Sequence, residues 1–240
     1  MKTNVTIFIL AIIALLQVSC AKEATLNVDP NIPTVNVVDT SYQPSSAGSS
    51  WLYYTRDTTG RLIDSVMVSS TGRDTSINNI LYKILHYDTT YQFQFHSGNQ
   101  YGLRTTAYSF ATTSGNINVN AFNILYINNE SDAVGTQWNF DCIDGKTVST
   151  PLGPIPTRAI GTVKGVGLTD TENGIQFSKV FMSNIIYQAI IPSFPPTTSY
   201  STIQSMDIYA ARGVGIIKIV TYNQKGQVST IQSLKSYTIK

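Results

Sequence analysis

The stretch "TYQFQFHS", Thr90–Ser97, alternates between aromatic and polar side chains. Its aromatic residues Tyr91, Phe93 and Phe95 fall on one face of an extended chain, and its two glutamines and its histidine fall on the other. Because successive side chains of a β-strand point to opposite faces, this period of two predicts a half-buried strand. It is the cleanest strand pattern in the 240-residue sequence.

The same period of two recurs on both sides of this stretch. Residues 80–87, "ILYKILHY", alternate just before it, and residues 214–222 have the pattern of a strand near the C-terminus. Residues 116–127, "NINVNAFNILYI", begin as a strand whose apolar parity shifts at Phe122, which predicts a β-bulge. Turn-forming residues separate such stretches at short intervals, as at residues 57–60.

Regularly spaced short strands and turns predict an all-β fold. We expect antiparallel strands, arranged as two repeated β-meanders that form a curved sheet, a barrel or a sandwich, after an N-terminal signal helix. The composition agrees, because β-branched and aromatic residues are plentiful and only 12% of residues are charged. Ser201–Ala211 is the best remaining candidate for a helix.

One short element occurs twice. "GSSWLY", which begins at Gly48, recurs as "GTQWNF", which begins at Gly135, and the two copies contain both tryptophans of the chain. Each tryptophan would fill the space between strands. Two diverged repeats, at about 48–134 and 135–240, would explain the similarity. The alternative is two unrelated core tryptophans.

The N-terminus has the pattern of an export signal. Residues 5–16 are almost wholly apolar and follow Lys2. This run is shorter than the roughly 20 residues of a membrane-spanning helix and predicts a signal peptide at residues 1–19. The favoured cleavage is before Cys20, whose thiol would then carry lipid. In the alternative, cleavage follows Ala21 and Cys20 leaves with the signal.

The segment after the signal differs from the rest of the chain. Residues 20–47 hold three prolines and several serines with little periodic pattern, so we predict a lipidated cysteine followed by a flexible tether. In an alternative, part of this stretch adds an edge strand. Residues 48–240 form a single predicted β domain, which is long enough to bury a sizeable core.

Several of these features together resemble a known group of proteins. They are the signal ending at Cys20, the tether, the early "GSSWLY", and a C-terminal "YAARGVGIIKI" at residues 209–219 followed by "LKSY" at residues 234–237. The combination resembles β-rich lipoproteins of Bacteroidota, most of which have no assigned activity.

That resemblance implies a β-rich antiparallel fold and a lipid anchor in the outer membrane, on its periplasmic or its surface face. A secreted or periplasmic soluble protein is the alternative. The general O-glycosylation motif of these bacteria also resembles triplets centred on Thr58, Ser65 and Thr89, which are therefore candidate glycosylation sites.

Residues with catalytic or metal-binding chemistry are few. His86 and His96 are the only histidines, and a zinc site needs three or four ligands, so ordinary histidines are the favoured interpretation. Cys142 shares its parity with Trp138 and Phe140, which predicts a buried, inert thiol rather than a nucleophile.

Two pairs of acidic residues are candidates for the acid and base of a glycan hydrolase. They are Asp141 with Asp144, and Asp170 with Glu172. Acids beside such turns more often stabilise the turn. We therefore predict no catalytic residue, no metal and no cofactor. The chain also lacks a basic run, so no nucleic-acid partner is expected.

The best binding candidate is the proline-rich stretch "IIPSFPPTTSY", residues 190–200, with Phe194 and Tyr200. Arg212 is a weaker candidate. Many aromatic residues and few charges favour a non-enzymatic binding module for an apolar or glycan ligand or a partner protein of the envelope. A structural or assembly lipoprotein without a small ligand is the alternative, and an envelope-glycan hydrolase is the third hypothesis.

Overall fold

Fifteen β-strands make up the part of the chain that the structure describes. The computed structural model describes residues 41–240 apart from residues 107, 113–114, 120, 145, 151–152 and 191–197, and within these ranges it contains no helix. The strands are β1 (Ser50–Arg56), β2 (Leu62–Ile77), β3 (Ile80–Tyr87), β4 (Thr90–Ser97), β5 (Gln100–Thr105), β6 (Tyr108–Thr112), β7 (Gly115–Val119), β8 (Phe122–Ile127), β9 (Gln137–Phe140), β10 (Thr147–Thr150), β11 (Gly153–Glu172), β12 (Ile175–Ala189), β13 (Ser201–Ala211), β14 (Gly215–Tyr222) and β15 (Val228–Thr238).

Thirteen of these strands form one antiparallel sheet. Twelve follow each other in the order β10-β11-β12-β13-β14-β15-β1-β2-β3-β4-β5-β8, and β9 pairs with β11 beside this path. The sheet curls into a nearly closed, barrel-like ring. At the seam, the Asn123 N–H donates to the carbonyl of Cys142 at 2.8 Å, and Phe122 forms a β-bridge with Ile143. The prediction of an all-β, antiparallel fold with a curved or barrel-like sheet is confirmed.

The order of paired strands is similar in the two parts of the ring, with β6 and β7 inserted along the chain in the first part and β10 in the second. One part runs β1-β2-β3-β4-β5-β8, and the other runs β9-β11-β12-β13-β14-β15. Each begins with the short strand that carries a "GxxW" tryptophan and continues into a long hairpin, β2–β3 or β11–β12. We call these two series the first and second halves. β6 and β7 form a separate two-stranded sheet.

The interior of the ring is filled mainly by alternate residues of the strands. On β12, Phe181, Ile185 and Tyr187 are fully buried because they share the inward parity. On β13, Met206 and Ile208 lie opposite Ile185 and Ser183 and are also buried. These residues and their neighbours form the larger of two hydrophobic clusters.

A segment before β1 closes one end of the ring. Tyr42 and Gln43 are buried there, although the sequence places them in the tether. The Gly213 N–H donates to the Ser41 carbonyl at 2.7 Å, and Nε2 of Gln43 donates to the Gly102 carbonyl at 3.1 Å. Hydrogen bonds to the β13–β14 turn and to β5 therefore hold this segment, residues 41–45, against the ring.

Two details of the predicted elements differ from the structure. The helix considered at Ser201–Ala211 is wrong, because these residues are strand β13, paired with both β12 and β14. The single bulged strand predicted for residues 116–127 is also wrong. It is two strands, β7 and β8, which pair with β6 and β5 respectively.

The stretch "TYQFQFHS" is strand β4, as predicted, and residues 215–222 are strand β14. The orientation of β4 is informative. Phe93 and Phe95 point outward and pack edge-on against Tyr82, with ring centroids 6.3 and 5.8 Å apart. Gln94 and His96 lie opposite the buried Leu103 and Tyr101 of β5, so the polar face of β4 points into the ring.

Candidate ligand-binding site

A cavity of about 360 Å³ lies inside the ring of strands. Its volume falls within the range of small-molecule sites in proteins, roughly 300–1,000 Å³. β1, β4, β5, β14 and β15 supply most of its wall, so both halves contribute to it. Gln43 and Pro44 of the buried N-terminal segment also border the cavity.

One wall of the cavity is apolar, and β1 and β14 supply it. Trp51 and Tyr53 share the inward parity of β1. The indole N–H of Trp51 donates to the Val214 carbonyl at 2.7 Å, and the hydroxyl of Tyr53 donates to the Ile216 carbonyl at 2.8 Å. Burial raises the pKa of Tyr53 well above its ordinary value. Because their polar atoms are already bonded, these two rings offer apolar surface to a ligand.

The wall formed by β4 and β5 is more polar. The register pairs Gln94 with Leu103 and Gln92 with Thr105, and all four side chains line the cavity. Oε1 of Gln94 and Oγ1 of Thr105 are buried without a hydrogen-bond partner among the described residues. Buried polar atoms are nearly always hydrogen-bonded in folded proteins, so these two atoms need a partner that enters the cavity, either water or a ligand.

A second cavity, of about 270 Å³, adjoins the first. Gln43 and Gln94 line both cavities, so they lie at the boundary between them. Lys83 and His96 line the second cavity. The Lys83 ammonium is 2.7 Å from a carboxylate oxygen of Asp74, so its charge is already paired.

Two of the three residues that the sequence suggested for ligand binding lie outside the cavity. Neither Tyr200 nor Arg212 lines the cavity. The Arg158 guanidinium stacks 4.1 Å from the ring centre of Tyr200, and Arg212 forms an ion pair with Glu130. Phe194 lies outside the described residues, so its role stays a prediction.

The carboxylates of Asp170 and Glu172 both form ion pairs with the ammonium of Lys218. Their carboxylate oxygens lie 2.7 and 2.5 Å from Nζ of Lys218 on β14. Burial alone would lower the pKa of Lys218, but its hydrogen bonds to the two carboxylates outweigh burial and raise the pKa. The cluster of Asp170, Glu172 and Lys218 therefore links the β11–β12 hairpin to β14 by ion pairs, which is a structural role.

Asp144 and Asp141 are also engaged in ion pairs. The Arg104 guanidinium donates to both carboxylate oxygens of Asp144, at 2.9 and 2.6 Å. These hydrogen bonds lower the pKa of Asp144. Asp141 lies 3.5 Å from the ammonium of Lys146. None of the four carboxylates weighed as an acid–base pair lines the cavity.

The two histidines do not face each other. His96 has the inward parity of β4 and stacks on Tyr101, with ring centroids 4.3 Å apart. His86 contacts Tyr91 instead, with ring centroids 4.9 Å apart. Across the described ranges, no group of three His, Cys, Asp or Glu side chains is close enough to hold a metal ion.

Cys142 is buried in the same hydrophobic cluster as Trp138, at the seam of the ring. Burial raises the pKa of its thiol to about 11. The thiolate is the nucleophilic form of cysteine, so the geometry agrees with an inert thiol.

The structure describes three of the four predicted modification sites. Thr58, Ser65 and Thr89 are exposed, and their glycosylation stays a prediction. Cys20 lies outside the described residues. The described ranges contain no helix with the length and apolar character needed to cross a membrane.

Sequence reasoning missed the residues that line the cavity. The sequence predicts a place between strands for Trp51, and it gives Gln94 only a position in the strand pattern. One available signal was the shared glutamine face of "TYQFQFHS", although the period of two alone does not say which face points inward. Thr105 carried no such signal.

Comparisons with known proteins give structural neighbours but no family. No protein-family model matches the sequence, and no curated protein shows a significant match. One solved structure with a similar chain path is a presumed lipoprotein from Parabacteroides distasonis, 11% identical, with a TM-score of 0.45, covering 83% of this chain and 99% of its own. Another is a presumed exported protein with a YmcC-like fold from Bacteroides fragilis, 9% identical, with a TM-score of 0.46, covering 81% of this chain and 97% of its own.

Proposed function

We propose that this chain is a lipid-anchored envelope protein whose barrel-like domain binds a small, mostly apolar ligand and catalyses no reaction. The observation that carries the proposal is the cavity of about 360 Å³ inside the ring. Apolar surface that leaves water on binding supplies most of the binding free energy of such sites, at about 25 cal/mol for each Å² buried.

The cavity favours an apolar ligand over a glycan. Trp51 and Tyr53 use their polar atoms to bond the main chain, and Ile216 and Ile219 extend the same apolar surface. A glycan needs hydrogen bonds around its whole edge. Only the β4–β5 wall has buried polar atoms without partners among the described lining residues.

Native mass spectrometry of the full chain, purified from its own envelope, tests the proposed function. A cavity-filling variant, Thr221→Trp, should lose a bound mass that the wild type retains, because Thr221 lines the cavity. Val220→Trp is the matched control, because Val220 is the next residue on β14 and does not line the cavity. A bare protein mass for the wild type would contradict the proposal.

The anchor is tested separately. Cys20→Ala should abolish acylation and release the protein from the membrane fraction, because the thiol of Cys20 is the proposed attachment point for lipid. Fractionation of cells followed by detection of the chain measures this. A variant that stays with the membrane would contradict the lipid anchor without affecting the cavity.

A second candidate function is assembly with another envelope protein. Leu62, Ile63 and Met67 on β2 are 46–47% exposed, which leaves apolar surface on the outside of the ring. Such surface is typical of contact sites between proteins. In the same mass spectra, the chain together with a second polypeptide would favour assembly over ligand binding.

A further inference from the structure

We infer that the ligand is uncharged and carries a hydrogen-bond donor, a hydroxyl group, that binds Oε1 of Gln94 beside Thr105; this inference rests on the proposed function. It starts from the register of β4 and β5. Gln92 lies opposite Thr105 and Gln94 lies opposite Leu103, so Gln94 and Thr105 are diagonal neighbours on the inward face. Diagonal neighbours have Cβ atoms about 7 Å apart or closer, within reach of one polar group placed between them.

The chemistry of these two atoms selects the ligand group. An amide oxygen can only accept a hydrogen bond, whereas a threonine hydroxyl can accept or donate. Oε1 of Gln94 and Oγ1 of Thr105 are both buried without partners among the described residues. A ligand hydroxyl satisfies both, because it donates to Gln94 and accepts from Thr105.

The cavity lining selects an uncharged ligand. The described lining consists of aliphatic, aromatic, thioether, hydroxyl and amide side chains together with glycine and proline. Such groups cannot neutralise a buried carboxylate or ammonium, and burying an unpaired charge is costly. Lys83, in the adjoining cavity, is already paired with Asp74.

The sheet order fixes how the ligand lies. β14 is six places from β5 in the ring, so it lies on the opposite side of the cavity from the β4–β5 wall. Ile216 and Ile219 of β14 line the cavity there. The ligand therefore places its hydroxyl against Gln94 and its apolar part against β14, across the width of the ring.

Two isomeric probes, 1-hexanol and methyl pentyl ether, test the inference. They have the same atoms and similar size, but only the alcohol donates a hydrogen bond. Calorimetric titration of the full chain in lipid nanodiscs should give three- to tenfold tighter binding of 1-hexanol, the ratio expected for one hydrogen bond of typical strength. Sodium hexanoate should bind more weakly than 1-hexanol.

Variants assign the preference to residues. In Gln94→Leu the ratio of the two affinities should fall to about one, and in Thr105→Val it should fall partway. Gln100→Leu is the matched control, because Gln100 is an exposed glutamine at the start of β5 that lines neither cavity, so its ratio should stay at the wild-type value.

The outcomes separate the inference from the proposed function. Equal binding of the two isomers to the wild type, or tighter binding of hexanoate, would overturn the inference and leave an apolar site in place. A preference that survives Gln94→Leu would also overturn it. The absence of saturable binding by all three probes would instead contradict the proposed function.

Discussion

The two halves of the ring each place a tryptophan on their first strand, and the two tryptophans serve different purposes. Trp51 borders the cavity, and a Cβ added to the nearby Gly215 would still lie 3.7 Å from its indole nitrogen. Trp138 lies directly on Gly161, where an added Cβ would come within 2.0 Å of the ring. The same short element therefore builds a cavity wall in the first half and a closed core in the second.

β5 and β14 occupy the same position, the fifth, in the two halves, and the ion pairs on their outer faces differ. Arg104 on β5 and Lys218 on β14 both bind carboxylates. Arg104 does so through a bidentate pair with Asp144, and Lys218 through two carboxylates of one hairpin. Since arginine keeps its charge at high pH and lysine does not, the two clusters should respond to opposite ends of the pH scale.

Removal of the tryptophans should give the largest difference between the halves. Trp138→Ala should lower the free energy of unfolding by about 3–5 kcal/mol, because it leaves a cavity in a closed core. Trp51→Ala should cost at least about 1 kcal/mol less, because its ring already borders open space. Urea unfolding followed by circular dichroism measures both, and equal losses would contradict the comparison.

Substitution of Gly161 and Gly215, the glycines nearest to the two tryptophans, should test the same comparison between the halves. Gly161→Ala should cost about 1–3 kcal/mol through overpacking, and combination with Trp138→Phe should recover part of that loss. Gly215→Ala should cost about 1–2 kcal/mol because its φ is +102°, a backbone effect that Trp51→Phe should not relieve. A double-mutant cycle for each pair, from urea unfolding, measures the coupling, and similar coupling in both would be the contrary result.

The lysine cluster should make the second half sensitive to alkali. The carboxylates raise the pKa of Lys218 in the folded protein, so their stabilisation is complete below the unfolded pKa and is lost as the pH rises through the folded pKa. Lys218→Arg should retain its stability over that alkaline range, by about 1–2 kcal/mol relative to the wild type. Urea unfolding from pH 8 to 12 tests this, and parallel curves would show that Lys218 does not titrate with unfolding.

The arginine cluster should give the smallest effect, at acid pH. Hydrogen bonds from Arg104 lower the pKa of Asp144, so its stabilisation is present above the unfolded pKa of about 3.9 and is lost as the pH falls through the folded pKa. Asp144 is 41% exposed, so Asp144→Asn should cost under about 1 kcal/mol at pH 7. The difference from wild type should vanish near pH 2, and a difference that persists there would point to lost packing instead.

The strands were predictable wherever apolar and polar side chains alternate over several residues without interruption. β4 and β14 are such runs, and both are strands. β13 was not, because a bulge opposite Tyr187 and Gln188 breaks its period, and its Ala, Met and Ser residues suit a helix as well as a strand. Pairing with β12 and β14 overrode that local preference.

The candidate site was not predictable in the same way. A period of two separates the faces of β4 but does not say which face points inward, and closure of the ring decides that. The cavity brings together Trp51, Gln94 and Ile216, which are far apart in the sequence and form no local motif. Only the sheet order makes them neighbours.

The pairing of β1 with β15 has a consequence for how the chain folds. It joins Ser50 to Thr238, whereas the other neighbouring strands of the described ring are close in sequence. Closing a loop of that length costs more chain entropy than forming any of the hairpins. We therefore expect hairpins within each half to form early and locally, and we expect the joining of β1 to β15, which brings Trp51 to Val214 and completes the cavity, to be the slower step.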